Sequence, residues 1–177
     1  CIFTNCNFSN SFLAMNKGVE SGSFLNCLFI VCNLAETSFR FPLINKCEFR
    51  NCILKETNFD GSRFSETKFV GLLDSCFFRG YSVYSTSNTL FSFSKFDPLK
   101  FPNQMMNVDF SSSKLVGVSF INRIDLSNCI FPKGDEYVYL PDLKGTIKKA
   151  IEIINSSWTE GYEKETGLKL VNNLYYN

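Results

Sequence analysis

The cysteines are the residues whose chemistry would matter most, because a thiolate is a nucleophile and a metal ligand and a thiol pair forms disulfides. The chain of 177 residues has eight cysteines and no histidine. The absence of His removes the usual base that activates a Cys or Ser nucleophile, and no C-x2-C pair typical of a zinc site occurs. A thiolate activated by a Lys, an Arg or a helix terminus is the enzymatic alternative.

Each cysteine stands two residues before a large apolar residue. The cysteines are Cys1, Cys6, Cys27, Cys32, Cys47, Cys52, Cys76 and Cys129, and the residues that follow them are Phe3, Phe8, Phe29, Leu34, Phe49, Leu54, Phe78 and Phe131. Residues two apart on a strand point to the same side, so both members of each pair are expected to face inward. A buried thiol acts as a compact apolar side chain. The spacing therefore predicts structural cysteines, with no catalytic residue and no metal site.

The same pairing recurs every five residues, with or without cysteine. Ten consecutive blocks between residues 22 and 71 have a large apolar residue at the centre: Phe24, Phe29, Leu34, Phe39, Ile44, Phe49, Leu54, Phe59, Phe64 and Phe69. The residue two places earlier is small or compact in every block: Gly22, Cys27, Cys32, Thr37, Pro42, Cys47, Cys52, Thr57, Ser62 and Thr67. A period of five fits neither a helix nor a continuous strand, so the chain must turn a corner after each short extended stretch.

Four corners make one turn of a coil, which places residues 20 apart above one another at about 4.8 Å. Phe29, Phe49 and Phe69 are then expected to stack, as are Phe39 with Phe59, Leu34 with Leu54, and Cys27 with Cys47. Stacked thiols would hold their Cβ atoms about 4.8 Å apart, beyond the usual disulfide distance of about 3.5 to 4.5 Å. We therefore predict free thiols and a reducing compartment.

This pattern resembles the pentapeptide repeat family. The resemblance implies an all-β solenoid, a right-handed quadrilateral β-helix, which we assign to residues 1–133. Its predicted centres also include Phe3, Phe8, Leu13, Phe78, Phe91, Phe96, Phe101, Phe110, Leu115, Phe120, Leu126 and Phe131. Breaks in register fall near residues 14–21, 72–75, 84–90, 103–107 and 122–123, and are expected to be loops or bulges.

Residues 134–177 change to a helical period. Leu143, Ile147, Ile151, Ile154 and Trp158 recur at spacings of three and four, which indicates one amphipathic helix. The sequence Ser157-Trp158-Thr159-Glu160 has the form of a capping box, which predicts that a second helix opens there, with apolar positions at Tyr162, Leu168, Val171, Leu174 and Tyr175. These helices are expected to cap the open end of the coil or to begin the next domain.

Charge and motif content argue against several classes of function. The 18 basic and 17 acidic residues leave a net charge of +1, and no apolar run is long enough to span a bilayer. No phosphate-binding loop or metal motif occurs, and the lysines Lys144, Lys148 and Lys149 are read as a solvated helix face rather than a phosphate or lipid site. We therefore predict no cofactor, nucleic acid, membrane or small-molecule partner. The start at Cys1 is neither a signal peptide nor an initiator Met, which suggests a piece of a longer protein.

Outward apolar residues are the candidate binding surface. Leu28, Ile30 and Val70 flank the stacked phenylalanines of one face, where polar residues are expected, and Met105 and Met106 lie in a predicted loop. These five residues are the predicted partner-binding residues.

A coil without a pocket or a catalytic set favours a noncatalytic protein-interaction module. The β-helix followed by helices also resembles the substrate-recruiting N-terminal domain of HECT-like E3 ubiquitin ligase effectors injected by enteric bacteria, on Gly145, Ile147, Ile151, Ile154, Tyr162, Leu170, Val171 and Leu174. That resemblance implies a host-protein partner, a catalytic Cys in a distant ligase domain, and a location in the host cytoplasm or the bacterial cytoplasm.

The alternative is a DNA mimic of the kind that binds DNA gyrase. Mimicry needs a dense negative surface, whereas residues 1–133 contain 13 basic and 10 acidic residues, a net charge of +3.

Overall fold

The structure, a computed structural model, describes residues 1–13, 22–39, 41–81, 100–137 and 142–176. These residues form two compact units, Cys1–Lys133 and Gly134–Asn177. Within the described ranges, neither unit contains a helix that is long and apolar enough to cross a membrane.

The first unit is a coil of short parallel strands. The strands are β1 Ile2–Thr4, β2 Phe12–Leu13, β3 Ser23–Leu25, β4 Leu28–Ile30, β5 Ser38–Phe39, β6 Leu43–Asn45, β7 Glu48–Arg50, β8 Leu54–Lys55, β9 Asn58–Phe59, β10 Arg63–Ser65, β11 Lys68–Asp74, β12 Phe77–Arg79, β13 Asp109–Val116 and β14 Ser119–Ile121. Each strand pairs with the strand one turn away, and every pairing is parallel. The predicted β-helix is therefore confirmed.

Four faces follow from this pairing. Face 1 contains β1, β4, β7 and the first halves of β11 and β13, and face 2 contains β8 and the second halves of β11 and β13. Face 3 contains β2, β5, β9, β12 and β14, and face 4 contains β3, β6 and β10. Because the backbone hydrogen bonds between successive turns run along the axis of the coil, each face is a parallel sheet with its inner side toward the core.

Stacked phenylalanines fill the interior as predicted. On face 1 the ring centroids of Phe29 and Phe49 lie 4.7 Å apart, and those of Phe49 and Phe69 lie 5.0 Å apart, with nearly parallel planes. On face 3 Phe39 stacks on Phe59 at 4.9 Å. Rings on neighbouring faces meet edge to face, as Phe39 and Phe49 do at 6.1 Å. Such pairs stabilise the core beyond the burial of apolar area.

The compact inner residues are also hydrogen-bond donors. Several of their hydroxyls and thiols donate to the backbone oxygen of the central residue on the previous turn: Thr57 Oγ1 to Leu34 at 2.8 Å, Ser62 Oγ to Phe39 at 3.2 Å, and Cys47 Sγ to Phe24 at 3.2 Å. Hydroxyls and thiols therefore act as equivalent donors, which explains why Thr, Ser and Cys are interchangeable at this position. The sequence pattern indicated only that these residues are small.

The corners need left-handed backbone. The last residue of most blocks has φ near +50°, including Asn26, Val31, Lys46 and Asn51. Gly adopts this conformation without steric cost, and Asn and Asp adopt it at a smaller cost than other residues. The backbone N–H of each corner residue continues the hydrogen bonding between turns. Val31, for example, donates its N–H to the Arg50 oxygen at 2.9 Å.

The predicted breaks resolve differently. Residues 103–107 are not a break: Asn103 and Met105 form an inner pair, because Met106 bridges to Ser65 and places Met105 beside Phe64. Phe101 is consequently not a core centre, and that prediction is wrong. Its half-buried ring lies outside, with the Arg63 guanidinium 5.5 Å from its centroid.

The remaining breaks change the number of residues at a corner. Near 72–75 one residue is missing, so β11 runs through the corner with Gly71 at φ +110° instead of turning in a loop. At 122–123 one residue is added, and Asn122 and Arg123 both have positive φ. The predicted breaks at 14–21 and 84–90, and the predicted centres Phe91 and Phe96, lie outside the described residues.

The second unit contains two helices, α1 Leu143–Ser157 and α2 Tyr162–Tyr176. The Asp142 carboxylate caps α1 by accepting the Gly145 N–H at 2.9 Å, and Ile147 and Ile154 are buried. The predicted capping box is wrong, because Ser157 still belongs to α1 and the turn falls at 158–161. Lys164 on α2 is buried and donates to the Asn155 oxygen at 3.1 Å, which ties the helices together. The side chains of Leu143, Leu174 and Tyr175 lie outside the described part.

Candidate protein-binding surfaces

Two of the predicted residues lie together on face 1. Leu28 and Ile30 point outward from β4 and are half-buried, and in the adjoining strand Ile2 pairs with Leu28 and Thr4 pairs with Ile30. Ile2 is largely exposed. We call Ile2, Leu28 and Ile30 the N-terminal patch.

Val70 lies on the same face but apart from this patch. The register places Arg50 between Ile30 and Val70, and Arg50 forms an ion pair with Glu48 at 2.9 Å. On the next turn Lys68 and Asp109 pair at 3.5 Å. The middle of face 1 is thus charged and balanced, and Val70 is an isolated half-buried residue within it.

Asp109 stays ionised beside Lys68 in the middle of face 1. Partial burial would raise the pKa of its carboxyl, but hydrogen bonds from Ser111 and the nearby Lys68 ammonium outweigh burial and lower it. The Ser111 N–H donates to Asp109 Oδ1 at 2.8 Å.

The two methionines separate. Met105 is fully buried, so its prediction as an exposed contact residue is wrong. The physical reason is its inward place below Phe64, where its N–H donates to Asn103 Oδ1 at 3.3 Å and its oxygen accepts the Cys129 thiol at 3.5 Å. Met106 is 47% exposed on the outer side of face 4. The structure therefore does not gather the five predicted residues into one surface.

Face 2 exposes large apolar residues that the sequence reasoning missed. Ile53, Leu72 and Val116 point outward there, and Val31 is exposed at the corner that leads into this face. The available signal was the residue next to each centre, which is Ile53 beside Leu54 and Leu72 beside Leu73. The one-residue deletion near Gly71 hid this signal, because it shifts the five-residue phase.

The buried thiols are poor nucleophiles. Burial raises the pKa of Cys47 and of Cys52 to about 11, and that of Cys76 to about 12. All eight cysteines are free, and across the described ranges no three His, Cys, Asp or Glu side chains lie close enough to share a metal ion.

The described surface also has open grooves. An open groove of about 290 Å³ runs beside Pro102 and Gln104 and includes Arg123 and Asp125. The Ser127 N–H donates to the Asp125 carboxylate at 2.9 Å and lowers the pKa of that acid.

Comparisons with known proteins agree with this architecture. Residues 32–71 match the family profile described as Pentapeptide repeats, in 8 copies. The structure resembles HetL, a pentapeptide repeat protein involved in heterocyst differentiation regulation in the cyanobacterium Nostoc sp. strain PCC 7120, with a TM-score of 0.51 and 11% identity. The match covers 78% of this chain and 51% of HetL, so the chain spans about half the length of that protein.

A weaker likeness exists to QnrB1, a plasmid-mediated fluoroquinolone resistance protein, with a TM-score of 0.22 and 20% identity over 73% of this chain and 67% of the other. This superposition is too poor to bear on function. The search of curated proteins found no match. At 11% identity the likeness to HetL shows the pentapeptide-repeat β-helix fold alone.

Proposed function

We propose that this pentapeptide-repeat β-helix is a noncatalytic module that binds another protein through its outer faces. The observation that carries the proposal is the division between inside and outside. Inner positions hold stacked rings and hydrogen-bonded thiols, whereas outward positions hold exposed apolar residues such as Ile2, Ile53 and Leu72. Solvent-exposed apolar residues grouped on a stiff sheet are typical of protein-binding surfaces.

The finer proposal is that the partner is a host protein and that the chain recruits it for a HECT-like E3 ubiquitin ligase of an injected bacterial effector. What supports it is the order of parts, a β-helix followed by the α1–α2 pair with Ile147 and Ile154 buried. Capping of the coil by these helices remains a prediction.

A capture experiment tests the proposal on the N-terminal patch. The full chain is immobilised and exposed to lysate of cultured intestinal cells, beside the variant Leu28→Lys with Ile30→Lys. The matched control is Leu43→Lys with Asn45→Lys, because these residues take the same outward places on β6 and are also half-buried. We expect a host protein that the wild-type and control chains retain and that the patch variant loses.

Two outcomes would overturn the proposal. One is that the wild-type chain and both variants retain the same lysate proteins, which would indicate adhesion unrelated to the patch. The other is inhibition of gyrase supercoiling by the chain, which would favour the DNA-mimic alternative against the net charge of +3 on residues 1–133.

A further inference from the structure

Four exposed apolar residues form an oblique line across face 2. Val31 lies at the corner on one turn, Ile53 and Leu72 follow on the next two turns, and Val116 lies one turn further and two residues along the strand. The pairing of Leu73 with Leu54 places Leu72 directly after Ile53. We call these four residues the face 2 stripe.

The backbone of face 2 offers nothing to an incoming strand. Its amides donate along the axis, as Ile53 N does to the Cys32 oxygen and Glu56 N to the Asp74 oxygen, at 2.9 and 2.8 Å. Addition of a strand needs a free sheet edge, so a partner on this face must bring a backbone that is already hydrogen-bonded. An α-helix meets that requirement.

Spacing also suits a helix. Successive turns of the coil lie about 4.8 Å apart and successive turns of a helix about 5.4 Å, so one apolar residue per helical turn can meet one residue of the stripe. Four coil turns correspond to about three helical turns, the length at which an amphipathic helix docks by residues i, i+4, i+7 and i+11.

Charge specifies the side chains of that helix. On the side toward face 3 the stripe is bordered by Glu36, Glu56 and Asp74, with Lys55 the only basic residue among them. Lys55 pairs weakly with Glu56, at 4.0 Å between exposed side chains. The border toward face 3 is therefore net acidic, whereas the exposed Lys114 lies next to Leu72 on the side toward face 1. Lys or Arg is accordingly favoured on the face 3 flank of a bound helix.

We propose that the face 2 stripe binds an amphipathic α-helix of the partner protein that carries basic residues along one flank of its apolar face. This inference rests on the proposed protein-binding function and names the class of segment that is bound. It uses a surface separate from the N-terminal patch.

The test uses the full chain and a designed, fluorescein-labelled helical peptide of about 18 residues, with Leu at i, i+4, i+7 and i+11 and Lys along one flank. Binding is measured by fluorescence anisotropy. The chain variant Ile53→Ser with Leu72→Ser should bind at least about tenfold more weakly, because the apolar contact is lost.

The matched control is Ile130→Ser with Leu25→Ser, since Ile130 and Leu25 are exposed at 55% and 49%, close to the 56% and 49% of Ile53 and Leu72, but lie on other faces. We expect this variant to bind within about twofold of the wild type. Substituting Glu36→Gln with Glu56→Gln should weaken binding about threefold, whereas Glu66→Gln, which removes an exposed acid paired with Lys46, should not.

Several results would overturn the inference: no saturable binding up to about 1 mM, equal loss in the stripe and control variants, or equal affinity for a peptide with Glu in place of Lys. A dimer in sedimentation that the stripe variant abolishes would also overturn it, because a second copy would then be the occupant. The lysate experiment depends on Leu28 and Ile30 instead, so either proposal can fail while the other survives.

Discussion

Residues 22–71 and residues 103–131 build the same core by different residue counts. In the first region every block has five residues and each turn has four blocks. In the second, Phe131 stacks on Phe110 at 5.7 Å although the two residues are 21 apart, because the corner at 122–123 holds one additional residue. The inner pair and its stacking therefore define a turn of the coil, whereas the corners absorb missing or additional residues.

The sharpest test of this comparison is truncation of one ring in each region. Phe49 lies between Phe29 and Phe69 and is fully buried, whereas Phe120 is only partly buried. We expect Phe49→Ala to lower the free energy of unfolding by about 4 kcal/mol and Phe120→Ala by about 2 kcal/mol. Chemical denaturation followed by circular dichroism measures both, and equal losses would contradict the difference in packing.

A glycine in the irregular region comes next in size. A Cβ on Gly80 would clash with the backbone oxygen of Asn122 and lie 2.7 Å from the Ile124 nitrogen, both atoms of the enlarged corner. Gly80→Ala should therefore cost about 3 kcal/mol through overpacking.

The control for this glycine is Gly117→Ala, at φ +59° with no contact under 3.4 Å, which should cost about 1 kcal/mol through backbone strain alone. Thermal unfolding distinguishes the two. If Gly80→Ala were no worse than Gly117→Ala, the close approach of the two corners would be refuted.

Hydrogen bonding by the small inner residues should be equal in the two regions. Thr57 donates to the Leu34 oxygen and Ser113 to the Phe69 oxygen, each at 2.8 Å. Thr57→Val and Ser113→Ala should each lower the free energy of unfolding by about 1 kcal/mol, because a buried hydrogen bond is lost. A neutral Thr57→Val in urea denaturation would mean that only the volume at this position matters.

The corners of the regular region offer two reciprocal substitutions with effects of opposite sign. Val31 and Asn51 hold φ +52° and +51° at the same corner on adjacent turns. Val31→Asn should raise the free energy of unfolding by about 1 kcal/mol, because Asn tolerates left-handed backbone better than a β-branched residue, and Asn51→Val should lower it by about as much. Opposite signs in differential scanning calorimetry are expected; changes of the same sign would count against corner strain.

The period of five predicted a coil of short strands, because it places large apolar residues on one side of each strand. The right-handed quadrilateral β-helix came from the resemblance to the pentapeptide repeat family. The prediction failed at Phe101 and Met105, because the five-residue pattern makes Phe101 the central inward residue of its block. The bridge between Met106 and Ser65 instead turns Met105 inward. The exposed residues Ile53 and Leu72 were missed because the deletion near Gly71 hides their alignment. The five-residue phase alone is enough to predict the stacked rings and free thiols of the interior. Prediction of an outer surface also requires knowing which residues of adjacent turns are neighbours.

Thiol reactivity tests whether stacked rings and free thiols line the interior of the coil. The native chain is treated with iodoacetamide at about pH 8, where an ordinary cysteine with a pKa of about 8.5 reacts readily. Burial raises the pKa of Cys47 and Cys52 to about 11, so little thiolate forms there. Mass spectrometry should find Cys1 labelled, and should find five sites unlabelled until denaturant is added: Cys27, Cys32, Cys47, Cys52 and Cys76. Labelling of these five at the rate of Cys1, or disulfides among them, would contradict an interior lined by free thiols.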